Sequence, residues 1–128
     1  MRADLMNPLI LAYLGDGVFE TMVREYLVVE LEICKPNDLQ KKAITFVSAA
    51  AQRKFIETAL ENEWLSEKEI DIYKRGRNTK TGKNETVDHS YSTGFEAIIG
   101  QLHLEDNKAR IDEIFALYKT VVEQNTKI

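Results

Sequence analysis

Apolar residues recur three or four positions apart along most of the chain, the period of a helix face, and no stretch sustains an alternation of period two. The first such stretch opens at Asn7-Pro8, an N-cap side chain followed by proline at the first helical position. Leu11, Leu14, Val18, Met22, Tyr26 and Val29 mark one face and predict a helix from Pro8 to near Leu31. The opposite side is apolar too, through Ala12, Phe19, Val23 and Leu27, yet Asp16 lies among them with Glu20 one turn on. A helix apolar on both sides belongs in a core or between two subunits. A carboxylate there is costly to bury unless something compensates its charge. Gly15-Asp16-Gly17 also reads as a turn, because Asp-Gly is a strong turn signal. Against the turn, the helical spacing runs through these residues without a change of phase.

The remaining pattern predicts five more helices. Lys35-Pro36-Asn37-Asp38 breaks and restarts the chain, with Asn37 or Asp38 as cap and Leu39, Ala43, Phe46 and Val47 inward. Ser48 is a candidate cap for a third helix, whose stripe of Ala51, Phe55, Ile56, Ala59 and Leu60 reaches towards Trp64. Ser66 and Glu69 have capping-box spacing and open a short helix, with Ile70 and Tyr73 inward, that ends near Gly76. From Asn78 to about Ser90 the chain reads as a polar loop. Tyr91 to Leu104 is helical again, with Phe95, Ile98, Ile99 and Leu102 on one side. After a break at Asp106-Asn107, the last helix carries Ile111, Ile114, Phe115, Tyr118, Val121 and Val122, and it frays after Glu123. The expectation is an all-α helical bundle, one domain over residues 1–128, without repeats.

Composition narrows the class. A chain of 128 residues is long enough for a core without staples. The lone Cys34 excludes an internal disulfide, and no base accompanies it. No apolar run approaches the ~20 residues of a membrane span, and no signal peptide opens the chain, so a cytoplasmic protein with no membrane partner is expected. The net charge of −4 argues against nucleic acid until its distribution is seen. Lys74, Arg75, Arg77, Lys80 and Lys83 place five positive charges within ten residues, with no acid among them. The chain is acidic with one basic patch, which is either a solvated charge run or a grip on phosphate.

Glu96 is the second anomaly. It lies beside the apolar stripe of its helix, flanked by the small residues Ser92, Thr93 and Gly100 and by His103. Two acids on separate, mostly apolar helices could converge on a divalent cation, and oxygen ligands favour a hard ion such as Mg²⁺. The alternative is that both acids are partly exposed and paired with lysine or arginine. Glu20 either holds a water near such an ion or pairs with Arg24 across the helix. Lys42 and Ser48 are either partners of the carboxylates or plain helix surface and cap. His103 is expected to pack and His89 to face solvent.

These residues also form motifs. Tyr13-Leu14-Gly15-Asp16-Gly17-Val18-Phe19-Glu20 resembles the signature helix of the ribonuclease III fold, and Tyr91 to Gly100 resembles its second acidic helix. Lys35 to Leu39 with Lys41-Lys42, then Phe46 to Ala49, then Lys74 to Asn78 are similar to Mini-ribonuclease III, the branch without a separate double-stranded-RNA-binding domain. The resemblance implies a homodimer packed through the signature helix. It also implies Mg²⁺-dependent hydrolysis of double-stranded RNA (Mn²⁺ as a substitute), with 5′-phosphate ends, in maturation of the 23S ribosomal RNA precursor. Asp16 and Glu96 match the catalytic, metal-binding acids. Lys74, Arg75, Arg77, Asn78, Lys80 and Lys83 become the RNA contacts, with Glu20, Lys42 and Ser48 as supporting residues. Larger members carry further acids where this chain has Ala12 and Thr93, which implies a reduced metal site with weak affinity. Gly17 stands where alanine is usual. The alternative is a module that holds structured RNA or a ribosomal protein without cutting.

Overall fold

The computed structural model describes residues 2–79 and 86–126, with side chains to residue 124; Lys80 and Lys83 lie outside the described residues. Six α-helices follow one another: α1 Pro8–Glu25, α2 Pro36–Val47, α3 Ala49–Glu61, α4 Glu67–Asn78, α5 Val87–Leu104 and α6 Lys108–Thr126. Among the described residues there is no strand, so the chain is all-α. The caps are the ones the side chains dictate. Asn7 Oδ1 accepts from the Leu9 amide, Ser48 Oγ from the Ala51 amide, and Ser66 and Glu69 satisfy each other's backbone amides in a capping box. Two helices stop on an acid rather than a glycine. Glu63 and Asp106 take left-handed φ values of 57° and 56°, and the next amides, of Trp64 and Asn107, reach back to the carbonyls of Ala59 and Leu102.

α5 runs through the middle, with ten of its eighteen residues buried. Phe19 of α1, Phe55 of α3, Phe95 of α5 and Tyr118 of α6 pack edge-on or tilted, with ring centroids 4.8–5.6 Å apart. Four helices therefore meet at one aromatic cluster. The buried Tyr118 hydroxyl donates to the Phe46 carbonyl at 2.5 Å and so ties α2 to it. α1 and α5 cross at their glycines. A Cβ on Gly15 would lie 1.8 Å from the Glu96 carbonyl oxygen, and one on Gly100 would lie 1.9 Å from the Leu11 carbonyl oxygen. No side chain fits between these two backbones. Gly15-Asp16-Gly17 is accordingly helical, and the turn reading is set aside.

Several boundaries depart from the sequence expectation. α1 gives way at Tyr26–Glu30 to a π-helical turn, closed by the Leu31 amide on the Tyr26 carbonyl. The wider turn shifts the phase of the face. Tyr26 and Leu27 are buried, whereas Val29, expected on the stripe, is 70% exposed. The core side of α1 is the face of Leu11, Ala12, Gly15, Phe19 and Val23, while Leu14, Val18 and Met22 are only half-buried. α2 starts at Pro36, one position before Asn37, because proline at the first helical position needs no partner for an amide hydrogen. α4 continues past Gly76 to Asn78, where Thr79 Oγ1 donates to the Arg75 carbonyl. α5 begins at Val87, four residues before Tyr91. Thr86 caps it by accepting from the His89 amide, and Asp88 favours its first turn and pairs with Arg53 of α3 at 3.0 Å.

The crossing makes a sharp prediction. Gly15→Ala and Gly100→Ala each lower the unfolding free energy by about 3 kcal/mol, the upper end for an overpacked core. Gly17, which has nothing within 4 Å of its would-be Cβ, gains about 1 kcal/mol on substitution by alanine. Denaturant unfolding measures all three, and equal effects at the three positions would contradict the close crossing.

Candidate functional site

Because the backbones touch at Gly15 and Gly100, the residues beside those glycines are brought together. Asp16 follows Gly15 on α1 and is exposed; Glu96, one turn before Gly100 on α5, is half-buried at the rim of the core. Phe19 and Phe95 point into the aromatic cluster and fix the rotation of both helices about their axes. The two carboxyls come within hydrogen-bonding reach of each other. Burial pushes Glu96 from an ordinary value of 4.5 up to about 9, and the Asp16 carboxylate adds to the rise through a shared hydrogen bond and its charge. A side-chain hydrogen bond from Gln52 opposes the shift, and the charge of Glu20 adds a little to it.

Among the described residues neither Asp16 nor Glu96 is paired with a lysine or arginine. Two oxygen donors of like charge, held close and uncompensated, fit a hard divalent cation. Among the same residues no group of three or more His, Cys, Asp or Glu is arranged to hold a metal ion. A cation here would therefore rest on two protein carboxylates and complete its shell with water.

The other candidates fall out as follows. Glu20 pairs with Arg24 at 3.3 Å while still facing the acids electrostatically. Ser48 is the α3 cap, and Lys42 is half-buried with its Nζ 5.9 Å from the Phe46 ring centroid. In the basic segment Lys74 and Asn78 are exposed on the last turns of α4. Arg77 lies over the Tyr73 ring at 5.3 Å and donates to Asn78 Oδ1. Arg75 is engaged within the chain: it donates to the carbonyls of Asp4 and Met6 at 2.6 and 3.0 Å, pinning the N-terminal turn Ala3–Leu5 to α4. α4 presses on α5 where a Cβ on Gly76 would meet the Gly94 Cα at 2.9 Å, so the basic turns sit beside the stretch of α5 that carries Glu96. His89 is exposed as expected; His103 is exposed too, where packing was expected.

A family model for the ribonuclease III domain matches residues 9–107, a span that contains both acids and the basic helix. The chain belongs to the ribonuclease III domain family. Among its curated relatives, a Mini-ribonuclease 3 of Clostridium tetani is 41% identical over 95% of this chain and 82% of its own length. One of Enterococcus faecalis is 42% identical over 95% and 96%, respectively. The crystal structure of a Fusobacterium nucleatum protein superimposes with a TM-score of 0.77 at 28% identity, covering 94% of this chain and 95% of that one. The resemblance read from the motifs, to the Mini-ribonuclease III branch, is thus shown. No described helix is long and apolar enough to cross a membrane.

Ala12 and Thr93 are 7% and 4% exposed, and the Thr93 hydroxyl is spent on the His89 carbonyl. Gln52 of α3 was not singled out from the sequence, although it occupies an inward register with Phe55, Ile56 and Ala59. A polar side chain at such a register is the signal that points to it.

The raised Glu96 gives a pH dependence. In the unfolded chain this carboxyl ionises near 4.5, whereas in the folded one it keeps its proton until about 9, so stability contributed by the group falls as pH rises across that window. In the presence of a chelator Glu96→Gln therefore melts above the parent at pH 8, by about 3 °C or more, and matches it near pH 4. Thermal denaturation monitored by circular dichroism checks this, and a parent that melts at or above the variant at pH 8 contradicts it.

Proposed function

We propose that this ribonuclease III-like domain is a Mg²⁺-dependent endoribonuclease that hydrolyses double-stranded RNA to 5′-phosphate and 3′-hydroxyl ends. Its proposed cellular substrate is the precursor of 23S ribosomal RNA in the cytoplasm. The observation that carries the reading is the meeting of Asp16 and Glu96, paired with no cationic side chain among the described residues, in a member of this family. When bound, the divalent ion supplies an activated water and neutralises charge on the phosphate during in-line displacement. Asp16 and Glu96 hold it through oxygen, and Glu96 gives up its proton on doing so. Glu20, anchored by Arg24, keeps the surroundings negative and orients solvent.

The basic turns beside α5 serve the substrate. Duplex RNA offers phosphates and 2′-hydroxyls across a shallow minor groove, a surface suited to Lys74, Arg77 and Asn78, with Lys80 and Lys83 next in the sequence. Arg75 contributes by holding the N-terminal segment in place against the same helix. A second copy packs on the outer face of α1, where Ile10 and Tyr13 are 55% and 85% exposed, and twofold symmetry gives each RNA strand its own acid pair.

Incubation of the protein with a long RNA duplex and Mg²⁺ tests the reading. Asp16→Asn and Glu96→Gln are each expected to slow cleavage about a hundredfold or more, the equivalent of several kcal/mol of transition-state charge stabilisation, while still retaining duplex on a filter. A parent protein that retains the duplex but never cuts it overturns the enzyme in favour of a binding module.

A further inference from the structure

Gln52 is 1% exposed on α3, in a stripe that is otherwise apolar. An amide buried without partners costs roughly 2 kcal/mol or more, so both of its ends require an occupant. Its Oε1 accepts from the Ser92 hydroxyl at 2.5 Å, and Ser92 is itself 7% exposed. Its other end faces Glu96 closely enough to hold that carboxyl down against the effect of burial. Ser92 and Glu96 stand one turn apart on the same face of α5, and the amide spans that turn. The arrangement is directional. With Oε1 taken by the Ser92 donor, the end presented to Glu96 is the amide N–H₂, which can only donate. A carboxylate that accepts from it is held in one orientation, with its remaining lone pairs left for other partners.

We propose that Gln52, itself oriented by Ser92, is the positioning residue that holds the Glu96 carboxylate ready for a divalent cation. The inference rests on the reading of Asp16 and Glu96 as a cation site. Gln52 touches neither cation nor RNA; it acts through Glu96, as outer partners of metal ligands do. α3 thereby enters the site, although it supplies no ligand.

Titration of the protein with Mn²⁺, following the free-ion signal by electron paramagnetic resonance, tests it without reference to cleavage. Gln52→Met, similar in volume and without the donor, is expected to weaken Mn²⁺ binding about tenfold, the lower end for loss of such a partner. Ser92→Ala does the same in smaller measure and Ser92→Thr, which keeps the hydroxyl, restores binding; these two decide the matter if Gln52→Met fails to fold. In a Glu96→Gln background, Gln52→Met has no further effect, because its target is gone. Mn²⁺ binding unchanged in Gln52→Met and Ser92→Ala, or weakened equally in both backgrounds, overturns the positioning role alone. A parent protein that binds no Mn²⁺ overturns the cation site and the positioning role with it.

Discussion

Where α1 and α5 cross, their backbones touch with no side chain between them: Gly15 lies against the Glu96 carbonyl and Gly100 against that of Leu11. Each glycine weakens its own helix by about 1 kcal/mol relative to alanine, a cost that propensity alone would not sustain. The return is proximity. With the axes this close, a residue next to one glycine faces a residue one turn from the other, and those residues are Asp16 and Glu96. The aromatic cluster of Phe19, Phe55, Phe95 and Tyr118 then sets the rotation of both helices, so that the acids emerge together at the rim.

That juxtaposition opposes stability. Burial and a neighbouring carboxylate hold Glu96 up to about 9, so at neutral pH the cation-free protein keeps there a group that would be ionised in the unfolded chain. A structural pair would be neutralised by lysine or arginine, as Glu69 is by Arg110 at 2.8 Å elsewhere in the same molecule. The contrast between these two acids lies in the partners that each one finds. Glu69 is lowered because Arg110 and the backbone of Ser66 outweigh its burial; Glu96 is raised because burial and the Asp16 carboxylate outweigh the Gln52 amide that opposes them.

Much of this was legible in the residues. Caps at Asn7, Ser48 and Ser66 are local chemistry, and the recurrence of apolar residues every three or four positions located six helices, even α5, which is buried on most sides. The acids stood out through their conflict with an apolar setting, whereas the close approach did not: Gly15 makes it and Gly17, two residues on, meets nothing. What local pattern could not show depends on long-range partners. Asp88 in the first turn of α5 meets Arg53 of α3, a partner no local pattern names, and the π turn at Tyr26–Glu30 alters the phase beyond α1, leaving Val29 outside. Arg75 looked like its basic neighbours until the carbonyls of Asp4 and Met6, some seventy residues away along the chain, claimed its guanidinium. Gln52 stood at an inward register of α3, but its role depends on Ser92 and Glu96, which lie forty or more residues away along the chain.

The most direct measurement is a crystal soaked in Mn²⁺ and recorded at the manganese absorption edge. The account requires an anomalous peak at the glycine crossing, within about 2.2 Å of an oxygen from each of Asp16 and Glu96, with water in the remaining positions. A map with no peak there, or carboxyls turned away from one another, would contradict the cation site on which the nuclease reading depends.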